Sequence, residues 1–182
     1  MTAGAGADPT LDQILEAHRG EARAIINVDE PLIKLVVFTL GRDWFAFLGE
    51  KVKEVLPDSP VFYLPGCPQS LEGVINVRGD IESVVNLRAV LGYPPGPDHQ
   101  NSRILLCQTA DMRSGLRVDA VEEVTDVVQS RLQPPPHTIA ESRKLLVLGI
   151  VHFAGQLVTV LDLERIFTDY RGGLDGGRTG DD

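Results

Sequence analysis

Catalysis and metal binding need particular residue types at fixed spacings, so the histidines, cysteines, carboxylates and glycine turns of the chain decide what chemistry it can do. The four histidines, His18, His99, His137 and His152, are spread over a predicted helix, two loops and a strand. They form no H-E-x-x-H and no short His pair that would clasp a metal. Each reads as a surface or packing residue. The two cysteines, Cys67 and Cys107, are too few for a disulfide framework and stand outside any C-x-x-C pair, so both read as free thiols. Cys107, inside RILLCQT, reads as a small apolar strand residue. No G-x-x-x-x-G-K-[ST] is present to cradle a phosphate, no G-x-G-x-x-G follows a strand, and no G-x-S-x-G presents a serine. Glu122, Glu123 and Asp126 read as a solvated strand or loop face, although a catalytic pair among the many acids stays open. Arg78 stands in a turn between two strands, either as a solvated turn residue or as a side chain placed to reach a partner. The pattern points to contact surfaces rather than reaction, with no metal and no cofactor expected.

Such surfaces need a folded scaffold, and 182 residues suffice for one ordinary domain or two small ones. Hydrophobic residues at 43% against charged residues at 24% give a chain able to bury a core. The formal charge of -9, without any cluster of Lys and Arg, argues against nucleic acid as a partner. No apolar run approaches the roughly 18 residues that cross a bilayer, and MTAGAGADPT lacks the marks of a signal peptide, so a cytoplasmic protein without direct membrane insertion is expected.

The Gly- and Ala-rich start, 1–9, and the Gly-rich tail, 169–182, are expected to be disordered. Between them, Leu11, Ile14, Leu15, His18, Ala22, Ile25 and Ile26 fall at helical spacing, and Thr10 with Gln13 offers a capping box. The spacing predicts an amphipathic helix within 10–30, about Leu11 to Asn27, packing its apolar stripe on the body of the protein. From Pro31 onward the apolar runs are short, rich in Val, Ile and Leu, and bounded by Gly and Pro, which is strand chemistry. LIKLVVFTL, WFAFLGEKVKEVL, GVINVRG and IESVVNLRAVL are followed by a linker, YPPGPDHQN, and then by RILLCQTA, GLRVDAVEEVTDVV, LVLGIVHFAGQ and LVTVLDLERIF.

The two sets repeat each other. GVINVRGDIESVVNLRAVL set above GIVHFAGQLVTVLDLERIF matches Gly73 with Gly149, Gly79 with Gly155, Val84 with Val160 and Leu87 with Leu163, and exchanges Ile81 for Leu157 and Asn86 for Asp162. VKEV from Val52 matches VEEV from Val121, and the extra residues of the second copy fall around PPPHTIAESRK. A unit used only twice is too short a series for a solenoid. An all-β chain of two similar modules follows, roughly 32–92 and 101–168 with swaps of strands possible, plus short helical segments after Leu87 and Leu163. Closing each set of about five strands into a barrel would remove exposed edges.

LEGVINVRGDIESVVNLR, GLRVDAVEEV and GQLVTVLDLERIF resemble, in that order, the motifs of the CheW-like domain, and the resemblance covers about Leu32 to Thr168 within a domain of 31–168. It implies two SH3-like five-stranded barrels packed side by side and no catalytic site. It also implies an adaptor with two partners: the regulatory domain of a CheA-type histidine kinase and the cytoplasmic tip of a chemoreceptor, with recruitment to receptor arrays at the membrane. Carried over by position, Val36, Val52 and Glu54 fall on a kinase-binding surface, with Gly149 and Val151 as a second kinase patch, while Asn76, Arg78 and Gly79 fall by a receptor groove. An interface of this kind needs aliphatic residues at its centre and charges at its rim, roles that suit Val52 and Arg78. The chain departs from the family pattern at Gly49, where an aliphatic residue is common, at Ser83, where Pro is common, and at Asn86, where Asp is common. The same adaptor in a non-flagellar pathway such as twitching motility is the near alternative. A flavin-binding split barrel and a scaffold that takes peptides by strand addition are the readings from other classes.

Overall fold

The short β-branched runs become strands because each alternates or buries its apolar residues over only six to nine positions before a turn residue stops it. The computed structural model describes residues 29–96 and 101–176, so the segments 1–9 and the helix expected from Leu11 to Asn27 lie outside the described residues. The strands are β1 (Leu32–Leu40), β2 (Asp43–Leu48), β3 (Val52–Pro57), β4 (Leu71–Val77), β5 (Asp80–Val85), β6 (Arg103–Gln108), β7 (Arg113–Val118), β8 (Ala120–Val128), β9 (Val147–Phe153) and β10 (Gln156–Leu161). Among the described residues three helices accompany them: α1 (Leu87–Leu91), α2 (Glu141–Lys144) and α3 (Leu163–Gly176). Two five-stranded sheets result, the first in the order β8-β1-β2-β10-β9 and the second in the order β3-β6-β7-β5-β4.

Neither sheet belongs to one repeat. The first takes β1 and β2 from the first repeat and β8 to β10 from the second, and the second sheet takes the reciprocal set. Each exchange is joined by a short parallel seam, Trp44 to Ala46 against Val158 to Val160 in one sheet and Val84–Val85 against Gly115–Leu116 in the other. Parallel neighbours cannot be made by a tight hairpin, so strands distant in sequence must supply them.

Three clusters of buried side chains account for the burial pattern. Val36, Phe38 and Leu40 of β1 face the largest cluster, together with Leu105 and Cys107 of β6, Leu116 of β7 and Leu163, Ile166 and Phe167 of α3. Leu35 and Val37 face the other way, into a cluster confined to the first sheet with Val151, Val158 and Val160. Ile104 and Leu106 of β6 similarly join Ile75, Val77 and Val84 inside the second sheet. β1 and β6 therefore carry continuous apolar runs because both of their faces are buried. α3 holds Tyr170, 8% exposed, in the largest cluster and continues to Gly176. α3 thus extends into the segment 169–182, where a disordered tail is expected, and the Tyr170 ring enters the core there.

The two hairpins β4–β5 and β9–β10 are built alike. Each turns through two residues with positive φ, Arg78 (53°) and Gly79 (98°) in one, Ala154 (49°) and Gly155 (74°) in the other. That pair of conformations matches the right-handed twist of the flanking strands. At the start of each hairpin a glycine admits an outside strand: Phe62 exchanges backbone bonds of 2.8 and 2.9 Å with Val74, and Gln133 exchanges bonds of 2.9 and 2.7 Å with Ile150. A Cβ at Gly73 would lie 2.2 Å from the Phe62 carbonyl oxygen, and one at Gly149 would lie 2.7 Å from that of Gln133. No described helix is long and apolar enough to cross a membrane.

Candidate functional site

The tip of the β4–β5 hairpin gathers three of the residues assigned by resemblance. Asn76 Oδ1 accepts the Gly79 amide proton at 2.8 Å, which fixes the turn and with it the Arg78 side chain. Arg78 then reaches across to β3 and donates twice to Glu54, Nη1 to Oε2 at 2.9 Å and Nη2 to Oε1 at 2.5 Å. Two parallel bonds between a planar guanidinium and a carboxylate fix orientation as well as distance. The hydrogen bond to Glu54, followed by its charge, raises the Arg78 guanidinium above its ordinary range. Arg78 is 77% exposed in its side chain and Glu54 29%, so the pair sits at the rim of a surface with the carboxylate toward the protein.

Of the eight residues, Val52, Glu54, Asn76, Arg78 and Gly79 reach the surface in whole or part, and the Glu54–Arg78 pair brings the two groups together. The other three do not present side chains. Val36 is 4% exposed and Val151 1%, each inside a core cluster, and buried Gly149 is the site of the Gln133 approach. Exposed apolar side chains that the resemblance did not single out recur at matching places of the two repeats: Val55 with Val124, and Ile81 with Leu157. A legible signal existed, since apolar residues stand at these positions in both copies. A further run, Phe62-Tyr63-Leu64, is exposed on the loop between β3 and β4, held by the Phe62 bridge.

The three departures have local partners here. Ser83 Oγ lies 2.8 Å from Ser114 Oγ. Asn86 caps α1 by accepting from the Ala89 amide at 3.2 Å. At Gly49 a Cβ would meet the Lys34 side chain, 2.6 Å from its Cγ, so glycine leaves room for that stem.

A pocket of about 700 Å³ lies between α1, β7 and the loop after β3. Its charged walls are already engaged. Arg117 donates to Glu72 at 2.7 Å, to Asp58 at 2.5 Å and to Ser102 at 2.9 Å. Arg88 donates to Asp119 through both Nε and Nη2, and Asp119 also accepts the Gly41 amide at 2.6 Å. Among the described residues no group of three or more His, Cys, Asp or Glu is placed to hold a metal ion. Cys107 is buried, and desolvation pushes its thiol above its ordinary range. The arrangement favours fixed contact geometry, with a rim ion pair beside exposed aliphatic strand positions.

The model of the CheW-like domain matches residues 34–171. The chain belongs to the CheW-like domain family. It is 27% identical over 146 residues to the probable chemotaxis protein CheW of Rhizobium etli, a match covering 80% of this chain and 94% of that protein. It is 37% identical over 81 residues to protein PilI of Pseudomonas aeruginosa, covering 44% of this chain and 45% of that one. The crystal structure of the scaffolding protein TtCheW from Thermoanaerobacter tengcongensis is similar to it with a TM-score of 0.67 at 29% identity, over 78% of this chain and 91% of that chain. The CheW-like match begins in β1 and ends in α3, so it spans both sheets and the seams that join them.

Proposed function

We propose that this chain is a non-enzymatic signalling adaptor of chemotaxis that holds the regulatory domain of a CheA-type histidine kinase against the cytoplasmic tip of a chemoreceptor. Family membership across 34–171, with relatives named as chemotaxis and scaffolding proteins, supports the role. The observation that carries the mechanism is the Arg78–Glu54 pair. It ties a residue of the receptor set to a residue of the kinase set by two hydrogen bonds, so a partner that displaces one must release the other. Val52 and Glu54 belong to the kinase surface in this reading, and Asn76, Arg78 and Gly79 to the receptor groove. Val36, Gly149 and Val151 support these surfaces through packing. The adaptor works in the cytoplasm and is recruited to receptor arrays.

Each sheet curls into an SH3-like barrel in this account. Support comes from the first sheet, whose two edge strands supply Val127 and Val151 to one cluster. In the second sheet the Glu54–Arg78 pair spans from edge strand β3 to the β4–β5 hairpin. The domain runs over 31–168 in this reading. A second reading, the same kind of adaptor serving a non-flagellar pathway such as twitching motility, draws support from the match to protein PilI.

Calorimetric titration with the regulatory domain of the CheA-type kinase from the same cell tests the proposal. Saturable binding is expected, weakened about tenfold or more by Val52→Asp, because a charge placed among interface aliphatics is left without solvent. Arg78→Ala is expected to alter both receptor and kinase titrations, since it releases Glu54. Lack of binding to every such kinase in the cell would remove the adaptor role.

A further inference from the structure

The chain crosses between the two sheets twice without a long connection, and both crossings are clamped by an ion pair to a helix. From β2 to β3 it passes through the 3-10 turn Gly49–Lys51, where Lys51 Nζ donates to Glu164 Oε1 of α3 at 2.8 Å. From β7 to β8 it passes through Asp119, which accepts from Arg88 of α1 through both carboxylate oxygens. α1 and α3 follow equivalent hairpins and begin with equivalent caps, Asn86 accepting from Ala89 and Asp162 accepting from Arg165. Arg88 and Glu164 are therefore the same position of the two repeats, the second residue of each helix.

The two clamps have opposite polarity. At the first crossing the base is on the strand connection and the acid on the helix, and at the second the reverse holds. Glu50, in strict register with Asp119 when VKEV is set on VEEV, does not reverse this, because the 3-10 turn leaves its side chain 71% exposed while Lys51 is 29% exposed and turned to α3. Each clamp joins one repeat to the other: Lys51 of the first repeat to Glu164 of the second, and Asp119 of the second to Arg88 of the first.

We infer that this inverted pair of clamps makes the two halves of the chain recognise each other and reject their own kind, so that a second copy of this chain can enter the fold only by exchange of unlike halves. The halves are similar enough in strand pattern for like to pair with like, since every strand of one has its counterpart in the other. If a first half met a first half, Lys51 would face Arg88. If a second half met a second half, Asp119 would face Glu164. Both wrong pairings set like charges together at a partly covered site, whereas the correct one satisfies both. Exchange of unlike halves between two copies would keep every clamp, which is the low-cost route to a swapped dimer.

Full-length variants test the inference. Lys51→Glu should lower Tm by about 2–6 °C, and adding Glu164→Lys should restore most of the loss. The double variant gives both clamps the same polarity while keeping each native pair and the net charge. After refolding from denaturant at high concentration, light scattering coupled to size exclusion should then show about threefold or more dimer and larger species than the wild type, because like halves no longer repel. Equal dimer fractions in the wild type and the folded double variant would overturn the inference. So would a Lys51→Glu loss that Glu164→Lys fails to recover.

Discussion

Three alanine substitutions separate what a glycine contributes by its backbone from what it contributes by having no side chain. At Gly73 both terms act: φ is +147°, and a Cβ would sit 2.2 Å from the Phe62 oxygen, 2.8 Å from its carbonyl carbon and 2.9 Å from Val61 Cγ1. At Gly149 only the close approach acts, with a Cβ 2.7 Å from the Gln133 oxygen and 2.7 Å from Leu132 Cδ1. At Gly79 only the backbone acts, with φ at +98° and nothing within 4 Å. Backbone strain of this kind costs about 1–3 kcal/mol and forced overpacking about as much. Gly73→Ala should thus cost about 2–6 kcal/mol, and Gly149→Ala and Gly79→Ala about 1–3 each. Thermal unfolding followed by circular dichroism should show a Tm loss of about 4–24 °C for Gly73→Ala, the largest of the three, and about 2–12 °C for each of the other two. The same order should appear without any partner present. A Gly79→Ala loss as large as that of Gly73→Ala would refute the division, because the Phe62 bridge would then carry no weight. A silent Gly149→Ala would refute the packing role of that residue and leave a direct partner contact as its explanation.

Further outcomes follow from single side chains. Arg117→Ala should lower stability by about 3 kcal/mol, read as a drop in Tm of about 6–12 °C, because it strips a buried guanidinium from Glu72 and Asp58. A loss below about 2 °C would show that water replaces the network freely. Tyr93 is held neutral by desolvation and by its hydrogen bond to Asp43, which push its pKa from 10.0 up to about 12. The unfolded chain releases that proton first, so this contribution is complete below pH 10 and is lost as pH rises toward 12. Tyr93→Phe should flatten the fall of Tm across that window, and an unchanged slope would remove the assignment. A thiol reagent counted by mass should label half-buried Cys67 in the folded protein and reach buried Cys107 only after unfolding; early double labelling would contradict the core position of Cys107.

The strands were readable because their apolar runs are local, and the pairing of Gly73 with Gly149 and of VKEV with VEEV exposed the repeat. The reciprocal exchange was not readable from those patterns. Alternation says that Val36 and Leu35 point to opposite faces, but only the sheet order shows that both faces are buried, one between the sheets and one within the first sheet. Val36 and Val151, placed on a kinase surface by resemblance, have their side chains in core clusters for the same reason. Arg78 in its turn was legible from Asn76-Val77-Arg78-Gly79. Its partner was not, since Glu54 lies on another strand and meets it only because hairpin and edge come together. Tyr170 shows the same limit: a Gly-rich flank masks one aromatic that tertiary packing retains.

The most direct test of the adaptor account is sedimentation of membranes or nanodiscs carrying the chemoreceptor with the regulatory domain of the kinase, with and without this protein. The kinase domain is expected to co-sediment at low concentration only when the full chain is added, and Arg78→Ala to reduce this recruitment while the protein stays folded. Equal recruitment of the kinase domain with and without the chain, under conditions where the chain itself binds both partners, would contradict it.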